Sequence, residues 1–506
     1  MRIERVVLAG LVACVAAASG LAAQEQVALA RAASAGCTPA PVPDPPTMKA
    51  TDARLRMAPH SYTVGGTRYS SNVYNDNFLG PTLTMNPGER LKLSVTNAMA
   101  VTDSQPAAQI AWTNLHYHGL VVTPSPDSAD NVTHVHIDRG APPRPYHFPV
   151  PEGHPEGMFW YHPHPHGIST SQVGGGLSGA LLVGNVLDYF PQYKGVRERV
   201  LLIRDMGFTI SSSVLNVNGG TCALLPVRAG ERQLWHIGNF GSNTFVNLKL
   251  DSMKWTLLAM DGNRLAEPQE VDSLWIPPGS RAEVIVTGPR AGKRVRLYSA
   301  SFLPRTARGD TASTTLGYLV GLLGAPPRRE GPRMAGADAQ VLDSLRFLRE
   351  ARDPQKHTFT FDFVGNDAGI NDSIYQPNHL PVAIPWGRVQ EWTLVNTTRS
   401  LHTFHIHQVD FEVISVNGVE VKERMLRDNV PLGVHLAPDG KTVVGDTVVV
   451  RFVFDPIAAG PFVFHCHVLQ HEDEGMMHNV CVYDPNDPDG VNKCNAMFSG
   501  GGHGGH

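Results

Sequence analysis

The chain of 506 residues carries 42 Lys and Arg against 46 Asp and Glu, a formal net charge of −4. A balance this even argues against a nucleic-acid partner held through phosphate neutralisation. Glycine and proline are abundant (49 and 39 residues) and only 17% of residues are charged. That composition suits a turn-rich all-β protein and disfavours coiled coils, helical bundles and disordered solvating chains. At roughly 100–200 residues per domain, the length predicts about three domains.

From the N-terminus, Met1-Arg2-Ile3-Glu4-Arg5 is a short basic start, Val6 to Ala18 is an apolar run, and Gly20-Leu21-Ala22 and Leu21-Ala22-Ala23 offer small-residue cleavage sites. Residues 1–23 are therefore expected to be a secretory signal peptide, with the mature protein periplasmic or secreted. A lipoprotein anchor at Cys14, after Leu11-Val12-Ala13, is the competing expectation. The run is shorter than the ~20 residues that span a bilayer, and no later stretch is long and apolar enough for a transmembrane segment. Residues 24–50 form an Ala/Pro-rich segment.

Three related stretches then divide the chain. Pro87-Gly88-Glu89-Arg90 leads into Leu91, Leu93 and Val95 and ends at Asn97; Ala229-Gly230-Glu231-Arg232 leads to Leu234, Trp235, Ile237 and Asn239; Trp386-Gly387-Arg388 leads to Val389, Trp392, Leu394 and Asn396. Apolar alternation bounded by turn residues predicts a strand in each. A repeat this long predicts three copies of one β-domain, not a solenoid. The expected domains are residues 51–190, 191–323 and 355–485. A linker at 324–354 contains a short amphipathic helix between Asp338 and Arg352, built on Val341, Leu342, Leu345 and Leu348. Residues 486–506, ending in His503 and His506, are expected to be a flexible Gly/His tail.

A second repeat joins only the outer copies. Gly157-Met158-Phe159-Trp160-Tyr161-His162-Pro163-His164 matches Gly460-Pro461-Phe462-Val463-Phe464-His465-Cys466-His467, and the corresponding Gly292 to Ala300 has no His pair. The middle copy thus reads as a spacer. His-x-His occurs at 116/118, 134/136, 162/164, 164/166, 405/407 and 465/467. On a strand, residues i and i+2 share a face, so each pair can present two imidazoles to one place. Four such pairs in matched apolar copies point to a metal. His402, Cys466 and His471 add two imidazoles and a thiolate, and Met476 follows ten residues after Cys466. Two His, one Cys and a weak axial Met is the donor set of a blue-copper electron-transfer centre. Met477 is read as packing, because adjacent extended residues point apart. In His465-Cys466-His467 the thiolate faces one side and the imidazoles the other, a short covalent path between two metal sites.

With these motifs in place, the chain resembles a three-domain multicopper oxidase of the laccase type. The resemblance rests on His116-Tyr117-His118-Gly119, Trp160-Tyr161-His162-Pro163-His164, His402-Thr403-Phe404-His405-Ile406-His407, and His465-Cys466-His467 through His471 to Met476, over roughly residues 50–485. It implies three consecutive cupredoxin-like Greek-key β-sandwiches and four copper ions per chain. The type 1 ion would take His402, Cys466, His471 and Met476; the type 2 ion His116 and His405; and the type 3 pair His118, His162, His164, His407, His465 and His467. It further implies O2 and small-molecule electron donors as partners, and Glu472 as a proton-relay acid. Asp127 resembles a second acidic helper, with Asp130 as its competitor. Tyr117 stands where many members have Trp, Thr403 where Pro is usual and Gln408 where Gly is usual. His134, His136 and His166 fall outside the ligand pattern and read as structural or surface residues.

The implied reaction is one-electron oxidation of phenolic or aromatic amine donors coupled to reduction of O2 to water. A metallo-oxidase acting on Cu(I), Fe(II) or Mn(II), bilirubin-type oxidation, and a non-catalytic cupredoxin scaffold are the alternatives. The 14 methionines are scattered, with no Met-rich insert of the kind that suits Cu(I). Of six cysteines, a cleaved signal peptide leaves five; with Cys466 as a ligand, Cys37, Cys222, Cys481 and Cys494 can pair in three ways. The sequence carries no indication of oligomeric state.

Overall fold

The computed structural model describes residues 37–102, 105–124, 130–206, 214–301, 313–326, 331–332 and 336–499. Among these, six large sheets pair into three sandwiches. The first sandwich joins a four-stranded sheet to a five-stranded one, the second joins two six-stranded sheets, and the third joins a seven-stranded to a five-stranded sheet. Each sandwich encloses its own apolar core. No helix of the described residues is long and apolar enough to cross a membrane.

The three repeated stretches are equivalent strands, Arg90–Asn97, Arg232–Asn239 and Gln390–Asn396. Each pairs parallel with the strand that opens its sandwich and antiparallel with a later one. The repeat has a conformational cause at both ends. Gly88, Gly230 and Gly387 sit at φ of +82°, +73° and +77°, a region where a Cβ is penalised. Asn97, Asn239 and Asn396 each donate from Nδ2 to a backbone carbonyl across the sandwich (Ile137, Ile276 and Leu432) and accept from the amide two residues on. Each Asn thus closes a turn and pins it to the facing segment.

The linker helix spans Ala339–Glu350, capped by Asp338, whose carboxylate accepts from the amides of Gln340 and Val341. Leu345 and Leu348 are buried, while Leu342, assigned to the apolar face, is exposed. The N-terminal segment is a strap. Ala40–Pro41 pairs with the middle sandwich, Thr47–Lys49 pairs with the first, and Cys37 is disulfide-bonded to Cys222. The C-terminal segment departs from the expected flexible tail. Gly490–Ser499 is a helix, held by the Cys481–Cys494 disulfide and by burial of Cys494 and Phe498. His503 and His506 lie outside the described residues, as do residues 1–36 with the expected signal peptide and Cys14.

Candidate metal centres

The His pairs lie on neighbouring strands. His116–His118 pairs antiparallel with Gly157–His162, setting His116 opposite His162, and His402–Ile406 pairs with Gly460–Cys466, setting His405 opposite His465. Strand alternation sends Cys466 and Phe404 into the core of the third sandwich, and leaves the imidazoles of His405, His407, His465 and His467 to meet those of the first sandwich. The rings of His116 and His407 stack at 3.8 Å, as do those of His118 and His405. His164 Nε2 and His407 Nε2 lie 3.1 and 3.3 Å from His465 Nε2. Eight imidazoles, four from each outer sandwich, share one buried place.

The ring nitrogens sort into anchored and free. His116 Nδ1 lies 2.9 Å from Asp130, His162 Nδ1 2.8 Å from the Pro163 carbonyl, and His405 Nδ1 2.8 Å from the Asp428 carbonyl. The opposite nitrogens, His116 Nε2, His162 Nε2 and His405 Nε2, are buried without a hydrogen-bond partner, as are His118 Nδ1, His407 Nδ1 and both nitrogens of His467. Burial, reinforced by the neighbouring imidazoles, disfavours the protonated rings. It holds His116, His118, His405, His407 and His467 well below the usual range, His162 at about 3 and His164 at about 4. Neutral imidazoles with unpaired lone pairs are metal ligands in waiting, so these residues fit the copper that the motif implies.

A second cluster lies behind Cys466. Its Sγ is 3.7 Å from His402 Nδ1 and 3.6 Å from His471 Nδ1, and the two nitrogens are 3.1 Å apart. Thr398 Oγ1, 2.8 Å from His402 Nε2, leaves Nδ1 to face the sulfur. The short helix Leu469–Glu474 carries His471, and the chain returns so that the Cys466 amide donates to the Met476 carbonyl at 2.9 Å. Met476 packs in the core that holds Cys466, whereas Met477 packs with Tyr375 and Val463. Burial raises the Cys466 thiol to about 12 and lowers His471 to about 4; a bound cation would have to displace the thiol proton. Phe363 is exposed, yet its ring centroid lies 6.0 Å from that of His402 and 5.9 Å from that of His471.

Three carboxylates face the eight-histidine cluster: Glu472, Asp130 and Asp428. Glu472 is fully buried, 3.1 Å from His465 Nδ1 and 3.5 Å from His164 Nδ1. These are close polar contacts, not aligned hydrogen bonds. Burial alone would raise its pKa; the facing His164 and His465 bring it down to about 2. Asp127 lies outside the described residues. Asp130, its competitor, is buried against His116 and accepts from the Tyr117 amide and from Gln408 Nε2; burial raises it to about 8 despite those bonds. Gln408 sits at φ +64°, which accounts for glycine being usual there, and its Oε1 accepts from the Val122 amide. His136 stacks on Trp112 at 3.8 Å, His166 meets Tyr375 edge-on at 4.9 Å and His134 is exposed, and none of the three is among the clustered imidazoles. Sequence reasoning missed Asp428 and Arg281, which share a two-pronged ion pair beside His118. They are 147 residues apart, and no local spacing links them.

Comparison with known proteins agrees with this architecture. Multicopper oxidase family models match residues 57–186, 187–320 and 348–486. The multicopper oxidase mco of Staphylococcus aureus is 24% identical over 432 residues, covering 81% of this chain and 83% of that protein. A laccase of Bacillus stratosphericus is 23% identical over 477 residues (80% and 89% covered). The cell division protein FtsP of Escherichia coli is 24% identical over 506 residues (92% and 97%). A solved multicopper oxidase from Campylobacter jejuni, described as a metallo-oxidase, superposes with a TM-score of 0.68 at 20% identity, covering 88% of this chain and 95% of that one. The chain belongs to the multicopper oxidase family and has its three cupredoxin-like domains. Members of that family are copper-dependent oxidoreductases that use O2.

Proposed function

We propose that this chain is a laccase-like oxidase that takes single electrons from phenolic and aromatic amine donors. The observation that carries the reading is the placement of Cys466. Its sulfur belongs to the His402–His471 cluster, while His465 and His467 on either side belong to the eight-histidine cluster. On this reading His402, Cys466, His471 and Met476 hold the type 1 copper, His116 and His405 the type 2 copper, and the other six histidines the type 3 pair. Copper bound there supplies one-electron acceptance at the first site and four-electron reduction of O2 to water at the second.

The protein's own residues do the rest. Phe363, exposed and about 6 Å from the His402 and His471 rings, is the group against which an aromatic donor would stack. With copper bound, Cys466 would be the covalent link between the two sites, through the chain to its neighbours His465 and His467. Glu472 lies against His164 and His465, where it can pass protons toward the cluster. Asp130 keeps His116 oriented through Nδ1. Two disulfides support export to an oxidising compartment.

The test is oxygen uptake by the copper-loaded protein with a methoxyphenol, Fe(II) and Cu(I), each corrected for autoxidation. Faster turnover with the phenol is expected. Preference for a metal ion would replace the laccase reading with a metallo-oxidase, and full copper with no uptake from any donor would make the chain a scaffold.

A further inference from the structure

The middle sandwich has no ligand histidines, yet its backbone and one of its side chains reach the eight-histidine cluster. A Cβ on Gly279 would stand 3.0 Å from His467 Nε2 and 3.1 Å from Asn429 Oδ1. Two residues on, Arg281 is wholly buried and extends between all three sandwiches. Its Nη1 and Nη2 donate to the two oxygens of Asp428, in the third sandwich, at 2.7 and 2.8 Å. Its Nε donates to the carbonyl of Met158, in the first-sandwich strand that ends at His162, at 3.1 Å. Asp261, also of the middle sandwich, accepts the Arg281 amide at 2.8 Å and lies 3.3 Å from the Asn429 amide.

Asp428 in turn touches two imidazoles of the cluster. Its carbonyl accepts from His405 Nδ1 at 2.8 Å. Its Oδ1 lies 3.3 Å from His118 Nε2, where the Asn429 side-chain amide also sits at 2.9 Å. These contacts occupy His118 Nε2 and His405 Nδ1 and leave His118 Nδ1 and His405 Nε2 as the buried nitrogens without partners. Asp428 lies close enough to His118 and His405 to be grouped with them as a third ligand. Both its oxygens are engaged by the guanidinium fork, which holds the carboxylate in place as a support for the two imidazoles.

We propose that Arg281 is a positioning residue for the trinuclear copper site: it grips Asp428 so that His118 and His405 present the correct ring nitrogens, and it ties that arrangement to the strand carrying His162. The middle sandwich is then the third wall of the metal centre. The inference rests on the copper assignment made under the proposed function. Loss of an outer support of this kind weakens metal binding by roughly 10–100-fold.

The experiment compares wild type with Arg281→Lys and Arg281→Met after copper loading. Copper per chain, resistance to a chelator, the blue absorption band and the non-blue copper signal in electron paramagnetic resonance are read together. Lysine keeps the charge that the buried Asp261 and Asp428 need but offers one prong in place of two. Arg281→Lys should keep the blue band and lose cluster copper to the chelator at concentrations about 10–100-fold lower, with an altered non-blue signal. Arg281→Met should show the same with a larger loss; if it does not fold, Arg281→Lys decides. An Arg281→Lys protein with wild-type chelator resistance and an unchanged non-blue signal overturns the proposal. So does parallel loss of blue and non-blue copper, which would mean a general folding effect. Wild type that binds no non-blue copper would instead refute the copper assignment beneath it.

Discussion

At the residue scale, two departures from the usual family motif acquire physical meaning. Thr403 stands where proline is usual, and its amide donates to Cys466 Sγ at 3.5 Å, a bond proline cannot make. Hydrogen bonds to the thiolate sulfur of a blue-copper site tune its potential: a donor withdraws charge from the sulfur and favours the reduced ion. Thr403→Pro should therefore lower the type 1 potential by on the order of tens of millivolts, where 59 mV is a tenfold change in a one-electron equilibrium. Redox titration of the blue band measures it, and an unchanged or raised potential removes this role from Thr403. Gln408 occupies a glycine position at positive φ but joins the third sandwich to Asp130 and Val122 of the first, so the backbone strain is offset by two bonds between sandwiches. Glu472 carries a separate expectation. A positioned acid–base relay contributes about 10²–10⁴ in rate, so Glu472→Gln should slow reoxidation by O2 by up to that factor and leave reduction by the donor nearly unchanged. Stopped-flow measurement of the two half-reactions separates them, and equal rates for both with wild type would reduce Glu472 to a structural carboxylate.

At the element scale, the strands that carry the clustered histidines were legible in the sequence because period-2 alternation and the His-x-His spacing are local signals. The three Gly-to-Asn stretches were legible for the same reason, since the positive-φ turn and the Asn bond to the amide two residues on are local, although the Asn bond to the facing segment is not. The helix Gly490–Ser499 was not legible. Its composition reads as a tail, and what orders it is a covalent link to the strand Met477–Tyr483. A disulfide closing a loop of about 15 residues stabilises by about 3 kcal/mol in the chain-entropy account. Here the gain falls mainly on the terminal helix. Cys494→Ser should raise hydrogen exchange and proteolytic cutting across 490–499 while leaving the blue band and copper content as in wild type. Loss of copper in that variant would show that the helix also braces the neighbouring strand Gly460–Cys466, against which it packs.

At the scale of the whole molecule, the seams between sandwiches were the part that the sequence concealed. Asp428 with Arg281, and Gln408 with Asp130, meet only through tertiary structure, and nothing in their spacing announces it. Another such seam gives a prediction about pH. His236, buried in the middle sandwich, lies 2.7 Å from Glu283 Oε1 and 3.3 Å from Glu198 Oε2, and Glu283 Oε2 accepts from the Met158 amide of the first sandwich. Burial alone would lower the His236 pKa, but the hydrogen bonds and charges of Glu198 and Glu283 raise it to about 9. A folded pKa above the unfolded value near 6.5 means that the protonated ring stabilises the fold fully below pH 6.5. That contribution shrinks as the pH rises and is gone above pH 9. A shift of this size corresponds to at most about 3 kcal/mol, at 1.36 kcal/mol per unit. His236→Gln keeps a hydrogen-bonding group without the charge, so it should melt several degrees below wild type at pH 6. The gap should close as the pH approaches 9.5, because the wild-type ring is then neutral too. Melting curves of both proteins across that range decide it. A gap of constant size would assign the loss to packing at the seam and not to the charge on His236.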